Sequence, residues 1–143
     1  MNTHETQLAA LLSYYNARAA ELERIYHRDD ATAQAELAEI RSALRTAVTA
    51  RAVLEVACGT GYWTEVIADV ADGIVATDLS PDMLGIARKK EWLTDRVRFQ
   101  IADAYDLGGA EGVFTAGVAA FWLSHVPRRR LVQFLGQLHA RSE

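Results

Sequence analysis

An apolar run that leads directly into two closely spaced glycines is the feature that most constrains the fold of this chain. Residues 52–57, Ala-Val-Leu-Glu-Val-Ala, are followed by Gly59 and Gly61, and helical spacing of apolar residues resumes from Tyr62 to Val70. A short apolar run before a glycine turn is typical of a buried parallel strand that passes into a helix. Glycine at such a turn lets the backbone approach a ligand closely, because no Cβ blocks it.

The rest of the chain repeats this alternation of strands and helices. Strand patterns occupy residues 73–77, 96–101 and 112–121, while Ser80 and Pro127 begin helical patterns that end near Lys90 and Ala140. The alternation predicts an α/β fold of βαβ units with a parallel sheet and right-handed crossovers. The glycine turn then lies at the carboxyl end of the sheet, where such folds bind ligands.

The first fifty residues differ from the rest because they contain no glycine or proline and are rich in good helix formers. Apolar residues at helical spacing predict an amphipathic helix from about Glu5 to His27. Asp29, Asp30 and Thr32 indicate a break and a new N-cap, after which a second helix is predicted. Two helices therefore precede the first strand.

Composition sets further limits on the class of protein. The 143 residues, half of them hydrophobic, suit one globular domain, and the net charge of −4 does not favour nucleic acid as a partner. Cys58 is the single cysteine, which excludes an intrachain disulfide and favours a reducing, cytoplasmic location. We find no signal peptide, no stretch of about 20 apolar residues for a membrane span, and no metal-ligand spacing of histidines.

Three adenosine-containing ligands compete for the glycine turn. Tyr62 and Trp63 stand where a P-loop needs Lys and Ser or Thr, so a P-loop is excluded. Thr64 stands where a dinucleotide fingerprint has its third glycine, which weakens the nicotinamide option. S-adenosylmethionine has a positive ammonium and no pyrophosphate, so Glu55 at the end of the strand suits it better.

Residues 53–61 resemble the first motif of class I S-adenosylmethionine-dependent methyltransferases, although Ala57 stands where that family commonly has glycine. Three further segments resemble family segments in the same order, namely residues 75–80, 101–104 and 121–126. The resemblance covers roughly residues 51–140. It implies a Rossmann-like parallel sheet of about four strands here, with the C-terminal part of the usual seven-stranded sheet absent. It also implies S-adenosyl-L-methionine as cofactor and methyl transfer to a small-molecule acceptor.

The same resemblance implies roles for individual residues. In the family, the acid that ends strand two holds both ribose hydroxyls, and the acid and amide after strand three hold the adenine edge. Helices before strand one fold over the cofactor, so residues 1–50 are expected to form a lid on an α/β domain of residues 51–143. The predicted cofactor-binding residues are Glu55, Ala57, Gly59, Gly61, Asp78, Leu79, Met83, Asp103, Ala104, Phe121, Tyr15 and Arg18.

Some residues have two interpretations from sequence alone. His125 is either a catalytic base at the methyl-transfer site or a residue bonded to local backbone. Tyr15 and Arg18 either contact the cofactor or only pack between helices. The run from Arg128 to Arg130 begins a helix, where the dipole disfavours cations, and is interpreted as a solvated surface run rather than a substrate contact.

Two other functions also stay open. The chain can be a non-catalytic domain that binds S-adenosylmethionine or S-adenosylhomocysteine, and a nicotinamide-dependent oxidoreductase is the less favoured alternative. Strand four, residues 112–121, is apolar and forms an edge of the predicted sheet. A bare apolar edge invites pairing with another chain, so we expect a homo-oligomer through strand four or the last helix.

Overall fold

The computed structural model describes residues 3–26, 30–92, 95–120 and 122–142, which form a parallel sheet between two layers of helix and loop. The strands are β1 (Ala52–Glu55), β2 (Gly73–Asp78), β3 (Val97–Ile101) and β4 (Ala116–Val118). The α-helices are α1 (Thr3–Tyr26), α2 (Ala31–Val48), α3 (Tyr62–Ile67), α4 (Pro81–Lys89) and α5 (Leu131–Arg141). Two short 3₁₀ turns, Leu123–His125 and Arg128–Arg130, connect β4 to α5.

The four strands are all parallel and lie in the order β3-β2-β1-β4. Val53 of β1 is opposite Ile74 of β2 on one side and Ala116 of β4 on the other. The chain therefore adds strands in one direction from β1 and then returns to place β4 on the opposite side of it. This confirms the predicted α/β class, and the reversal beside β1 is the point at which such sheets bind ligands.

The two faces of the sheet each support a cluster of buried side chains. Val53 and Ile74 belong to the cluster that packs under α2, α3 and α4, whereas the adjacent Leu54 belongs to the cluster that contains Phe114 and Phe134. This alternation follows from the two-residue period of a strand. Burial of each large side chain contributes about 1.5–3 kcal/mol, so both layers hold the sheet in place.

Helix starts follow the capping residues that the sequence predicts. Asp30 is the N-cap of α2, and its carboxylate accepts hydrogen bonds from the amides of Thr32 and Ala33 at 3.0 and 3.2 Å. Ser80 is the N-cap of α4, where its hydroxyl accepts from the Met83 amide at 3.2 Å and Pro81 is the first helical residue. Both caps satisfy amides that have no partner within the helix.

Two segments differ from their predicted limits by several residues. Strand β4 is much shorter than residues 112–121, because it pairs only with β1 and the ladder covers only Ala116–Val118. The last α-helix begins at Leu131, after a 3₁₀ turn, rather than at Pro127. At Gly117 a Cβ would lie 2.7 Å from Leu138 Cδ1, so β4 and α5 approach more closely than an alanine there allows.

None of the helices in the described segments is both long enough and apolar enough to cross a membrane.

Candidate cofactor and acceptor site

A cavity of about 210 Å³ opens at the carboxyl ends of the strands. The turn after β1, the end of β2, the start of α4 and the loops after β3 and β4 form its wall, and Leu8 and Leu11 of α1 lie across it. Helix α1 also packs against α4, so the N-terminal segment contributes directly to the wall. This placement agrees with the general position predicted for a ligand site.

Asp78 connects the turns that follow β1 and β2. Its Oδ2 accepts from the Gly59 amide at 2.9 Å, and its Oδ1 accepts from the Ser80 amide at 2.8 Å. Burial raises the pKa of Asp78 above its usual value, and the hydrogen bonds from these backbone amides oppose that shift. A carboxylate offers about four acceptor positions, so Asp78 can still accept from ligand hydroxyls in the cavity that it lines.

The turn after β1 has left-handed backbone at two wall residues. Ala57 has φ 54° and Gly59 has φ 57°. A Cβ at Gly59 would lie 3.4 Å from the sulfur of Met83, another wall residue, so it would fill part of the cavity. Ala57 adopts a conformation that costs an L-residue roughly 1–2 kcal/mol, which explains why glycine suits this position.

Gly61 has a different role from the one predicted. It has φ 87° and is the N-cap of α3, and a Cβ there would lie 3.3 Å from Ala87 Cβ and 3.4 Å from the Trp92 ring. Among the described residues it is not part of the cavity wall. The predicted cofactor contact of Gly61 is therefore revised: the residue allows α3 to begin and to pack closely against α4.

Glu55 also lies behind the wall rather than in it. The Thr64 hydroxyl donates to the Glu55 carboxyl, with Oγ1 2.5 Å from Oε1 and 2.8 Å from Oε2, and both side chains are fully buried. Burial raises the pKa of Glu55 to about 8. A largely neutral carboxyl that is bonded to Thr64 is not placed to hold an ammonium, so the predicted ammonium contact of Glu55 is revised to a link between β1 and α3.

The residues predicted to contact an adenine ring also line the cavity. Leu79, Met83, Asp103 and Ala104 all line the cavity. The Tyr105 amide donates to Oδ1 of Asp103 at 2.9 Å, which fixes the turn and leaves Oδ2 to accept from a ligand. The structure thus brings together at one cavity seven predicted residues: Ala57, Gly59, Asp78, Leu79, Met83, Asp103 and Ala104.

Aromatic and basic side chains from the segments that follow β3 and β4 form one end of the wall. The Tyr105 and Trp122 ring centroids are 6.2 Å apart, and the His125 ring lies 6.1 Å from that of Trp122. The Arg130 guanidinium carbon lies 3.5 Å from the centroid of the Tyr105 ring. His125 also lines the cavity, and its role as a base stays a prediction. Arg130 departs from the predicted solvated run, because it is half-buried and lines the cavity.

Sequence reasoning missed several wall residues, and it also named some that the structure does not describe. Among the missed residues are Leu8, Leu11, Tyr105, Trp122 and Arg130. Two of them had a signal in the sequence, because Tyr105 directly follows the segment 101–104 and Trp122 lies within the segment 121–126. Phe121 and the side chains of Tyr15 and Arg18 lie outside the described residues, and their cofactor contacts stay predictions.

Comparison with known proteins identifies the family. Residues 53–141 match the family model described as a methyltransferase domain, and the chain belongs to this family. A demethylmenaquinone methyltransferase of Clavibacter sepedonicus is 36% identical over 90 residues, which are 62% of this chain and 37% of that protein.

Solved structures agree with this assignment. The structure described as a DhpI-SAM-HEP complex has a TM-score of 0.75 and 31% identity, over 95% of this chain and 61% of that one. The magnesium protoporphyrin IX methyltransferase of Synechocystis PCC 6803 with bound SAM has a TM-score of 0.75 at 16% identity, which supports the fold alone. The chain thus spans 37% of its curated relative and 61% of the DhpI chain.

We predict that Glu55→Gln makes the protein less sensitive to alkaline pH. The unfolded state loses the Glu55 proton near pH 4.5, whereas the folded state keeps it to about pH 8, so the wild-type free energy of unfolding falls between these values. Glutamine has no such proton, and the difference between variant and wild type should grow by about 3 kcal/mol from pH 5 to pH 8. Urea unfolding at both pH values measures it.

In both proteins Asp78 also makes the free energy of unfolding fall as the pH rises, because burial raises the pKa of Asp78 too. The matched control is Glu65→Gln, which changes an exposed carboxylate next to Thr64 that pairs with Lys90 at 3.4 Å. Because this variant keeps Glu55, the pH dependence that Glu55 causes should remain. Equal pH dependence in Glu55→Gln and wild type would contradict the buried, protonated Glu55.

Proposed function

We propose that this chain binds S-adenosyl-L-methionine in the cavity and is the cofactor-binding part of a methyltransferase that acts on a small-molecule acceptor. The observation that carries the proposal is the position of Asp78, a half-buried carboxylate beside the left-handed glycine turn at the carboxyl ends of two adjacent strands. Membership of the methyltransferase-domain family supports the same ligand.

The wall residues suit the parts of this cofactor. Asp78 would accept hydrogen bonds from both ribose hydroxyls, and Asp103 Oδ2 with the Ala104 amide would hold the adenine edge. Leu79 and Met83 would pack on the two faces of the purine, since methionine adapts to irregular apolar space. The backbone at Ala57 and Gly59 would approach the amino-acid end, where Phe121, Tyr15 and Arg18 remain predicted contacts.

The protein's contribution to catalysis would be alignment and exclusion of water. When bound, S-adenosylmethionine supplies a methyl group on a positively charged sulfur, so that the lone pair of an acceptor displaces a neutral thioether. Leu8 and Leu11 of α1, together with Trp122, would shield this site from water, as the proposed lid role of residues 1–50 requires. Tyr105 and Trp122 would fix the plane of an acceptor that reaches the same end of the cavity.

We propose that His125 is the general base for acceptors that arrive protonated. With labelled S-adenosylmethionine and a panel of phenols, amines and carboxylic acids, His125→Ala should lower transfer to phenols and amines by about 100-fold. Carboxylic acids are already ionised at neutral pH, so transfer to them should change little. Unchanged rates with all three classes would remove the base role from His125.

The alternative is a domain that binds the cofactor without catalysis. This alternative is favoured because the chain spans only 37% of the demethylmenaquinone methyltransferase and 61% of the DhpI chain. The remainder of those proteins can contain part of the acceptor site. Cofactor binding without any labelled product from the same panel would support this alternative.

Titration calorimetry tests the ligand directly. We expect S-adenosylmethionine and S-adenosylhomocysteine to bind, NAD to bind far more weakly, and Asp78→Asn to weaken S-adenosylhomocysteine binding by about 10- to 100-fold through lost charged hydrogen bonds. The 2′-deoxy analogue separates ribose contact from damage to the turn, since only the wild type should discriminate against it. Asp82→Asn, an exposed acid in α4, is the control. Preferential binding of NAD would contradict the proposal.

We also propose a homodimer, in which β4 or α5 of two copies meet. Strand β4 is at the edge of the sheet, and α5 exposes Val132 at 83% and Leu135 at 47%. Light scattering at micromolar concentration should give twice the chain mass, and Leu135→Glu should reduce it to one chain mass; a monomer in the wild type would contradict this. A cytoplasmic location is proposed on the single cysteine alone.

A further inference from the structure

Arg130 stands apart from the other two arginines of its run. Arg128 and Arg129 are exposed, whereas Arg130 is half-buried and lines the cavity. Its guanidinium carbon lies 3.5 Å from the Tyr105 ring centroid, and its Nε donates to Gln133 Oε1 at 3.3 Å. A flexible surface arginine has no such supports, so this side chain is held in one orientation at the end of the cavity.

The Arg130 guanidinium forms no ion pair with a carboxylate in the described part of the chain. Asp103 lies in the same wall, but its Oδ1 accepts from the Tyr105 amide and it forms no ion pair with Arg130. The Gln133 and Tyr105 contacts are neutral. A partly buried cation without a counter-charge is costly, and an anion placed there would offset that cost.

Trp122 supplies a second donor in the same part of the wall. Its indole Nε1 is buried and has no hydrogen-bond acceptor among the described residues, although the side chain lines the cavity. The ring packs beside Tyr105 and Phe134, with centroids 6.2 and 6.3 Å away. Trp122 and Arg130 both line the cavity and both pack against Tyr105, so this N–H and the guanidinium are donors at the same end for oxygens that carry negative charge.

We propose that the acceptor is a small organic oxyanion, with an apolar body against Tyr105 and Trp122 and a carboxylate or phosphoryl group held by Arg130. This inference rests on the proposed function, because it assigns the acceptor side of the cavity in which the cofactor is proposed to bind. Arg130 is then the residue that determines acceptor specificity. It binds a recognition group and takes no part in the displacement.

The test uses three probes on the whole chain with saturating S-adenosylhomocysteine: benzoate, phenylphosphonate and the neutral benzamide. Binding is followed by the indole N–H signals of the three tryptophans, and Trp122→Phe assigns the signal of Trp122. We expect both oxyanions to shift the Trp122 signal and to bind at least about tenfold more tightly than benzamide. Arg130→Gln should abolish this preference, Arg130→Lys should retain part of it, and Arg129→Gln should leave it unchanged.

Several results would overturn the inference. The first is the absence of any oxyanion preference in the wild type, and the second is an equal preference in Arg130→Gln. The third is a loss of S-adenosylhomocysteine affinity in Arg130→Gln, because the guanidinium would then bind the carboxylate of the cofactor. Should Arg130→Gln not fold, the wild-type preference and its partial retention in Arg130→Lys decide the matter. A wild-type chain that fails to bind S-adenosylhomocysteine contradicts the proposed function itself, whereas binding without oxyanion preference overturns the acceptor inference alone.

Discussion

The hydrogen bonds of Asp78 hold the candidate site together. One carboxylate accepts from Gly59 after β1 and from Ser80 after β2, at 2.9 and 2.8 Å, so the ends of two adjacent strands are fixed relative to each other. The Cys58 amide also donates to the Thr77 carbonyl at 2.9 Å, while the Asp78 carboxylate joins the turn to Ser80, the N-cap of α4. The same carboxylate lines the cavity, which means that a structural support of the turn is also a polar group available to a ligand.

Local signals in the sequence predicted the fold well. Caps such as Asp30 and Ser80 depend on amides two or three residues away, and the alternation in β1 depends on the strand itself. Glu55 shows where this reasoning stops. An acid at a strand end can face a cavity or a helix. Here the hydroxyl of Thr64 binds the carboxyl of Glu55 and turns it towards the helix. In the sequence, Thr64 is notable only because a dinucleotide fingerprint has glycine at that position. Because Glu55 is bonded to Thr64, its charge does not disfavour the pyrophosphate of a dinucleotide in the cavity. The match to the methyltransferase-domain family is therefore the stronger support for S-adenosylmethionine as the cofactor.

Long-range packing explains what the sequence did not reveal. Three consecutive arginines have the same local character, and only the tertiary fold brings the ring of Tyr105 beneath the third of them. Likewise, helical spacing predicts α1 without indicating that Leu8 and Leu11 lie across the cavity. The apolar run at residues 112–121 predicts a long strand, but only Ala116–Val118 pair with β1. Other apolar residues of the run pack against α5 instead, and the sequence alone does not distinguish such packing from strand pairing.

The most direct test of this account is the crystal structure of the chain grown with S-adenosylhomocysteine. We expect both ribose hydroxyls to donate to Asp78, the purine to lie between Leu79 and Met83, and the amino-acid end to follow the backbone from Ala57 to Gly59. Ligand density elsewhere on the molecule, or a ribose remote from Asp78 in a well-ordered complex, would contradict it.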